Sequence, residues 1–183
     1  SDGANATIGG AASVLPKPDK STPTDTDYRR MFTFTGSLGS KNVPLTEINL
    51  TDTTFNTSAM TAMGITDINL YKNVMNWYKG YDVNDLYNGL ESATDERKVL
   101  GAALHSQPVV VNYGYVGDLA SANNPDNQIN YVFYSTLEGT LHAVDTKTGK
   151  EKFSFIPGEK LATLKDQIDN PPTAEPAYGM DLT

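Results

Sequence analysis

The sequence predicts a mainly β fold with a few short helices, its clearest part a single four-stranded antiparallel blade of the kind that builds a β-propeller. Three observations carry this. Residues 130–157 (NYVFYSTLEGTLHAVDTKTGKEKFSFIP) hold three short apolar runs, rich in aromatic and β-branched residues and separated by turns. A fourth run, Pro108 to Tyr113 (PVVVNY), lies upstream with its proline at the first position, where a strand tolerates one. No apolar run reaches the roughly 18 residues of a membrane span. A propeller needs about four to eight blades to close its ring and protect its edges. The clear blade spans 108–157, so we expect the chain to be the N-terminal part of a larger propeller whose remaining blades lie outside it.

Taken in order, residues 1–30 are rich in Gly, Ala, Ser, Thr, Asp and Pro, a composition that buries little. They read as a flexible arm or linker, and 31–183 as the propeller portion. Met31 to Thr35 (MFTFT) alternates with high β-propensity and is ended by Gly36. Residues 37–64 are Thr- and Asn-rich and carry no decisive period. From Asp67 to Lys79 the period becomes helical, with Leu70, Val74, Trp77 and Tyr78 on one face, Thr66 or Asp67 as N-cap and Gly80 as stop. This stripe is expected to pack against the sheet. Asn130 to Ser135 reads as a strand buried on both faces. Leu137-Glu138-Gly139 turns the chain into the run from Leu141 to Asp145, and Thr146 to Gly149 supplies a second turn with glycine where positive φ is expected. Phe153 to Ile156 completes the blade. A short helix follows at Glu159 to Ile168, halted by Pro171-Pro172.

With 22 acidic and 14 basic residues the net charge is −8, which argues against a nucleic-acid groove, since that requires clustered Lys and Arg. The chain has no cysteine, so disulfide frameworks, thiolate zinc sites and thiol nucleophiles are all excluded. No positively charged segment followed by an apolar one opens the chain; an export signal would have been removed or would lie upstream.

Two stretches resemble a known family. The first is Leu100-Gly101, then His105-Ser106, Pro108 and Val109 to Val111. The second is Gly139, Leu141-His142-Ala143, Asp145 and Thr148-Gly149. In this order and spacing, with WYKGYD (Trp77 to Asp82) before them, they resemble the start of the quinoprotein-like propeller domain of the PilC/PilY family, the large exported adhesins and assembly factors of type IV pili. Gly9 to Ser13 and Tyr28 to Gly36 sit where that family has similar segments. The resemblance implies a noncatalytic module acting at the cell surface or pilus tip. Minor pilins, and a host or matrix surface ligand, would be its partners, and pilus assembly, surface adhesion and twitching motility its roles. It also implies a calcium loop of the Asp-x-Asp-x-Asp-Gly kind in the full-length family protein, whose clustered oxygens suit a hard cation. These residues contain no such loop. The nearest candidate is Asp82 to Glu96, with Asp82, Asn84 and Asp85 as ligands, but a loop starting at Asp82 or at Asn84 places Leu86 at a ligand position. An acidic loop following a helix is the simpler reading, and calcium is expected outside these residues.

The remaining chemistry-bearing residues point to structure. His105 and His142 are isolated in sequence and read as hydrogen-bonded packing residues. Ser106 beside His105 would point to the opposite side of an extended segment, which does not suit a triad. The carbonyl-rich Asn123 to Asn130 segment reads as a hairpin loop. Trp77 with Tyr71, Tyr78 and Tyr81 could offer an aromatic binding surface, although Trp77 on an apolar helix face is expected in the core. The second function class is a fragment of a quinone-cofactor (PQQ-type) propeller dehydrogenase. It calls for Trp where Phe153 stands, and for vicinal cysteines beside the cofactor.

Overall fold

In the computed structural model the described residues are 10–36, 45–83, 96, 98, 100–103 and 106–168. Two layers form: a mixed six-stranded sheet, and a helical layer packed on one of its faces. In chain order the elements are α1 (Gly10–Ser13), β1 (Met31–Thr33), β2 (Thr46–Glu47), α2 (Thr53–Met63), α3 (Ile68–Lys79), β3 (Val109–Tyr115), β4 (Gln128–Ser135), β5 (Leu141–Asp145), β6 (Glu151–Ile156) and α4 (Leu164–Ile168). A 3-10 turn (Gly158–Thr163) leads into α4, and two more lie between β3 and β4. The strand order is β2-β1-β6-β5-β4-β3.

Strands β3 to β6 form the expected antiparallel meander. The sheet then extends beyond the expected four strands, because β1 joins β6 in parallel and β2 pairs antiparallel with β1. The β5–β6 turn forms as its composition requires. Asp145 Oδ1 accepts from the backbone N–H of Lys147 and of Thr148, both at 2.9 Å. Gly149 takes φ 70°, a conformation with little cost only without a Cβ. Burial alone would raise the Asp145 carboxyl. The Thr148 and Lys147 amides outweigh it and hold the group below its usual range.

Register fixes the faces, since directly paired residues share one. Met31, Thr33, His142, Ser154 and Ile156 lie on the covered face. There Met31 and Ile156 join Phe55, Ala59 and Met63 of α2, Tyr71, Val74, Met75 and Tyr78 of α3, and Leu161 and Leu164 in one buried core.

Three expectations are corrected. The α3 stripe is rotated: Tyr71, Val74, Met75 and Tyr78 are buried, Leu70 is 41 % exposed, and Trp77 packs at the margin of the core. Tyr71 Oη donates to Asn56 Oδ1 at 2.9 Å, so a helix face chosen by hydropathy alone missed a tyrosine whose hydroxyl is satisfied by α2. Asp67 is the N-cap and Gly80 the left-handed stop, as read from sequence. Second, β4 is half-buried, not enclosed on both faces. Third, residues 10–30 do not trail from the domain. Leu15, Pro16 and Pro18 are buried, Arg29 N–H donates to the Lys17 carbonyl at 2.7 Å, and Lys79 pairs with Asp19. Composition hid this because the segment is held by polar contacts to distant residues.

Within the stretch left without a period, α2 forms from TTFNTSAMTAM. Asp52 accepts from Phe55 N–H at its start, and Gly64 closes it at φ 65°. Thr57, Ser58 and Thr61 turn their hydroxyls onto carbonyls four residues back, which satisfies the hydroxyls within the helix. The last expected helix begins instead as the 3-10 turn and becomes α-helical only at Leu164.

Candidate functional site

A buried polar cluster holds the N-terminal segment to the sheet. Glu151 begins β6, and a bulge at Lys152 in β6, opposite Ala143 and Val144 of β5, sets it toward the helical layer. Arg29 donates twice to its carboxylate, Nε to Oε1 at 3.0 Å and Nη2 to Oε2 at 3.2 Å. His142 Nδ1 lies 2.7 Å from Oε2. Burial would raise the Glu151 carboxyl, but the hydrogen bond from His142 and the charge of Arg29 outweigh it and bring it down to about 2. An ionised carboxylate only accepts, so His142 Nδ1 carries the proton of this bond. The Tyr134 ring stacks on the imidazole, 5.2 Å between centroids at 20°. Burial first, then the Glu151 charge, push the Tyr134 hydroxyl up to about 12.

Above the cluster lies a cavity of about 30 Å³, lined by Arg29, Met31, Trp77, Tyr78, Gly101, Thr136, Glu138, Thr140 and His142. It has room for about one water molecule. Glu138 closes one side, its carboxylate resting where a Cβ on Gly101 would stand, so any side chain at position 101 would displace it. Tyr78 Oη donates to the Glu138 carbonyl at 3.4 Å. The cluster's chemistry is cohesion: its carboxylate is committed to a guanidinium and an imidazole, and together they tie β6, β5 and the segment before β1.

The opposite face of the sheet has a different character. Tyr113 lies 5.3 Å from Tyr131 and 6.4 Å from Phe133, Phe133 lies 6.1 Å from Phe153, and Phe153 meets Phe32 edge-on at 6.2 Å. Arg30 stacks over Phe32 at 5.1 Å. This aromatic row crosses the sheet from β3 to β1, with Ala143 of β5 on its course, and none of its members belongs to the buried core. A cleft of about 690 Å³ opens beside it, between Tyr131 and Phe153 on the sheet and Pro23 to Tyr28 of the N-terminal segment. Sequence reasoning missed the row because its members come from four strands; the signal was the aromatic positions two apart in Tyr131-Phe133 and Phe153-Phe155.

The sequence candidates are placed as follows. His142 is buried and hydrogen-bonded, and His105 lies outside the described residues. Ser106 accepts the Ser135 N–H at 2.8 Å, extending the β3–β4 ladder. Asp82 is buried, while Asn84 and Asp85 lie outside the described residues. No cluster of three or more metal-ligating side chains occurs among the described residues, and none of the described helices is long and apolar enough to cross a membrane. Of the Asn123 to Asn130 segment read as a hairpin loop, Asn123 to Asn127 lie in the β3–β4 connection, with Asn124 Oδ1 accepting from Asp126 N–H at 2.9 Å, while Gln128 to Asn130 already belong to β4. The expected tyrosine surface does not assemble: Tyr71 and Tyr78 are buried and Tyr81 donates to Asp19 at 3.1 Å. No protein-family model, curated protein or solved structure matches this chain.

Proposed function

We propose that this chain is a noncatalytic module of a type IV pilus biogenesis factor and adhesin of the PilC/PilY kind, exported and acting at the cell surface or pilus tip. In this reading the β3–β6 meander is one blade of a quinoprotein-like propeller, completed by further blades. The observation that carries it is the order of the two motif stretches together with their structural roles. Val109 to Val111 open the meander, and Leu141 to Gly149 supply its third strand and turn. The uncovered aromatic row supports the same reading, because blades of a propeller stack face to face and fill that space with large apolar side chains. Minor pilins are the proposed partners in assembly, and calcium would be bound outside these residues.

The test is genetic. In the bacterium that encodes the chain, Phe133→Asp with Phe153→Asp should abolish surface pili and twitching while the Lys152→Ala control leaves both intact. Normal piliation after deletion of the whole coding region would refute the pilus role.

A further inference from the structure

The free edge of the sheet carries an inference independent of the pilus reading. β3 pairs with β4 on one side only, and among the described residues nothing pairs with its other side. Its side chains are exposed on both faces: Val109 55 %, Val110 63 %, Val111 37 % and Tyr113 58 %. Soluble proteins blunt such edges with lysine, proline or a bulge, because a row of unpaired N–H and C=O groups templates another strand. Here the bulge comes late. The register with β4 is regular from Val109 to Asn112 and shifts only before Tyr115, where Gly114 takes φ 114°.

We propose that two copies of this chain pair antiparallel through the edge of β3, about a two-fold axis at Val111. Charge selects this partner. The chain carries a net −8, yet no charged residue occurs between Lys98 and Asp118, so β3 is a neutral strip along which two acidic copies meet without like charges facing. The register selects the axis. A two-fold at Val111 sets Val109 against the partner's Tyr113 and Val110 against the partner's Asn112. The first is an aromatic–β-branched pair of the favourable kind, with Tyr113 at the start of the irregular stretch between Asn112 and Tyr115 and the rest of the pairing within the regular one. It also continues the aromatic row of Tyr113, Tyr131 and Phe133 into the second sheet. Clearance permits it, since the sheet's contribution to the helical core comes from β1 and β6, at the other end of the strand order. Such an interface is isologous and closes at two copies.

The absence of cysteine from the chain makes the register directly readable. In Val111→Cys the two introduced sulfurs face each other across the axis, at a separation within disulfide reach. Under mild oxidation this variant should form a covalent dimer at least ten times faster than Thr57→Cys, an exposed position on α2. Wild-type chain should sediment as a monomer–dimer equilibrium, weakened at least tenfold by Val110→Lys with unchanged circular dichroism. Cross-linking of Val111→Cys no faster than Thr57→Cys would overturn the proposal. So would a wild-type monomer at millimolar concentration, or growth beyond the dimer, which would mean that the edge accepts a strand in an open, non-symmetric way.

Discussion

Arg29 and Glu151, 122 residues apart in the chain, form a bidentate ion pair in which both side chains are buried. The pair ties the segment before β1 to the first residue of β6, and so fixes the parallel β1–β6 contact that enlarges the four-stranded meander. Removing Arg29 leaves the buried Glu151 charge with only its His142 partner, and removing Glu151 leaves the buried guanidinium without a carboxylate, at a cost of about 3–5 kcal/mol. Arg29→Ala and Glu151→Gln should each destabilise the chain by that order in urea denaturation. The double variant Arg29→Met/Glu151→Leu should recover most of the loss, and equal losses for single and double variants would contradict the pairing.

The same carboxylate predicts acid sensitivity. Its folded-state value of about 2 lies below the ordinary 4.5, so the folded state holds fewer protons than the unfolded one between these limits. The contribution is fully present above about pH 4.5 and is lost as pH falls toward 2. Urea midpoints measured across that window should decline in the wild type and decline less in the Arg29→Met/Glu151→Leu variant. Parallel pH profiles would show that other carboxylates set the acid limit.

The rotated α3 face separates two substitutions that hydropathy alone would rank alike. Met75 is fully buried and Leu70 is not. Met75→Ala should cost about 2–5 kcal/mol, whereas Leu70→Ala should stay within about 0.5 kcal/mol. Thermal or urea unfolding of the two variants checks this, and a larger loss at Leu70 would restore the stripe read from sequence.

Ser154 makes a prediction of opposite sign. It is wholly buried on β6 and, among the described residues, its hydroxyl has no hydrogen-bond partner. An unsatisfied buried polar group costs about 1–3 kcal/mol, so Ser154→Ala should raise stability by about 1 kcal/mol. A loss of stability would mean that the hydroxyl is satisfied.

Much of the sheet was legible in the sequence because its signals are local. The runs of β3 to β6, the Asp145 to Gly149 turn and the caps of α3 at Asp67 and Gly80 each depend on residues within a few positions of one another. What was not legible depends on distance. Nothing near Arg29 announces Glu151, nothing near Asn56 announces Tyr71, and α2 hides behind threonines whose hydroxyls are satisfied only once the helix exists. The aromatic row was illegible for the same reason. Its members belong to β1, β3, β4 and β6, and only the register brings them together. His142 was read correctly as a satisfied core residue, but its carboxylate partner emerges only from the β5–β6 bulge.

The central claim is that the aromatic face of the sheet is a packing surface in the working assembly. The most direct measurement is photo-cross-linking in the encoding bacterium, with a benzophenone amino acid placed at Phe133 and, as control, at Thr57 on the exposed side of α2. The account predicts a discrete cross-linked product from position 133, to another part of the proposed adhesin or to a proposed minor-pilin partner, and none from position 57. Equal labelling at both positions, or no product at 133 in piliated cells, would contradict it.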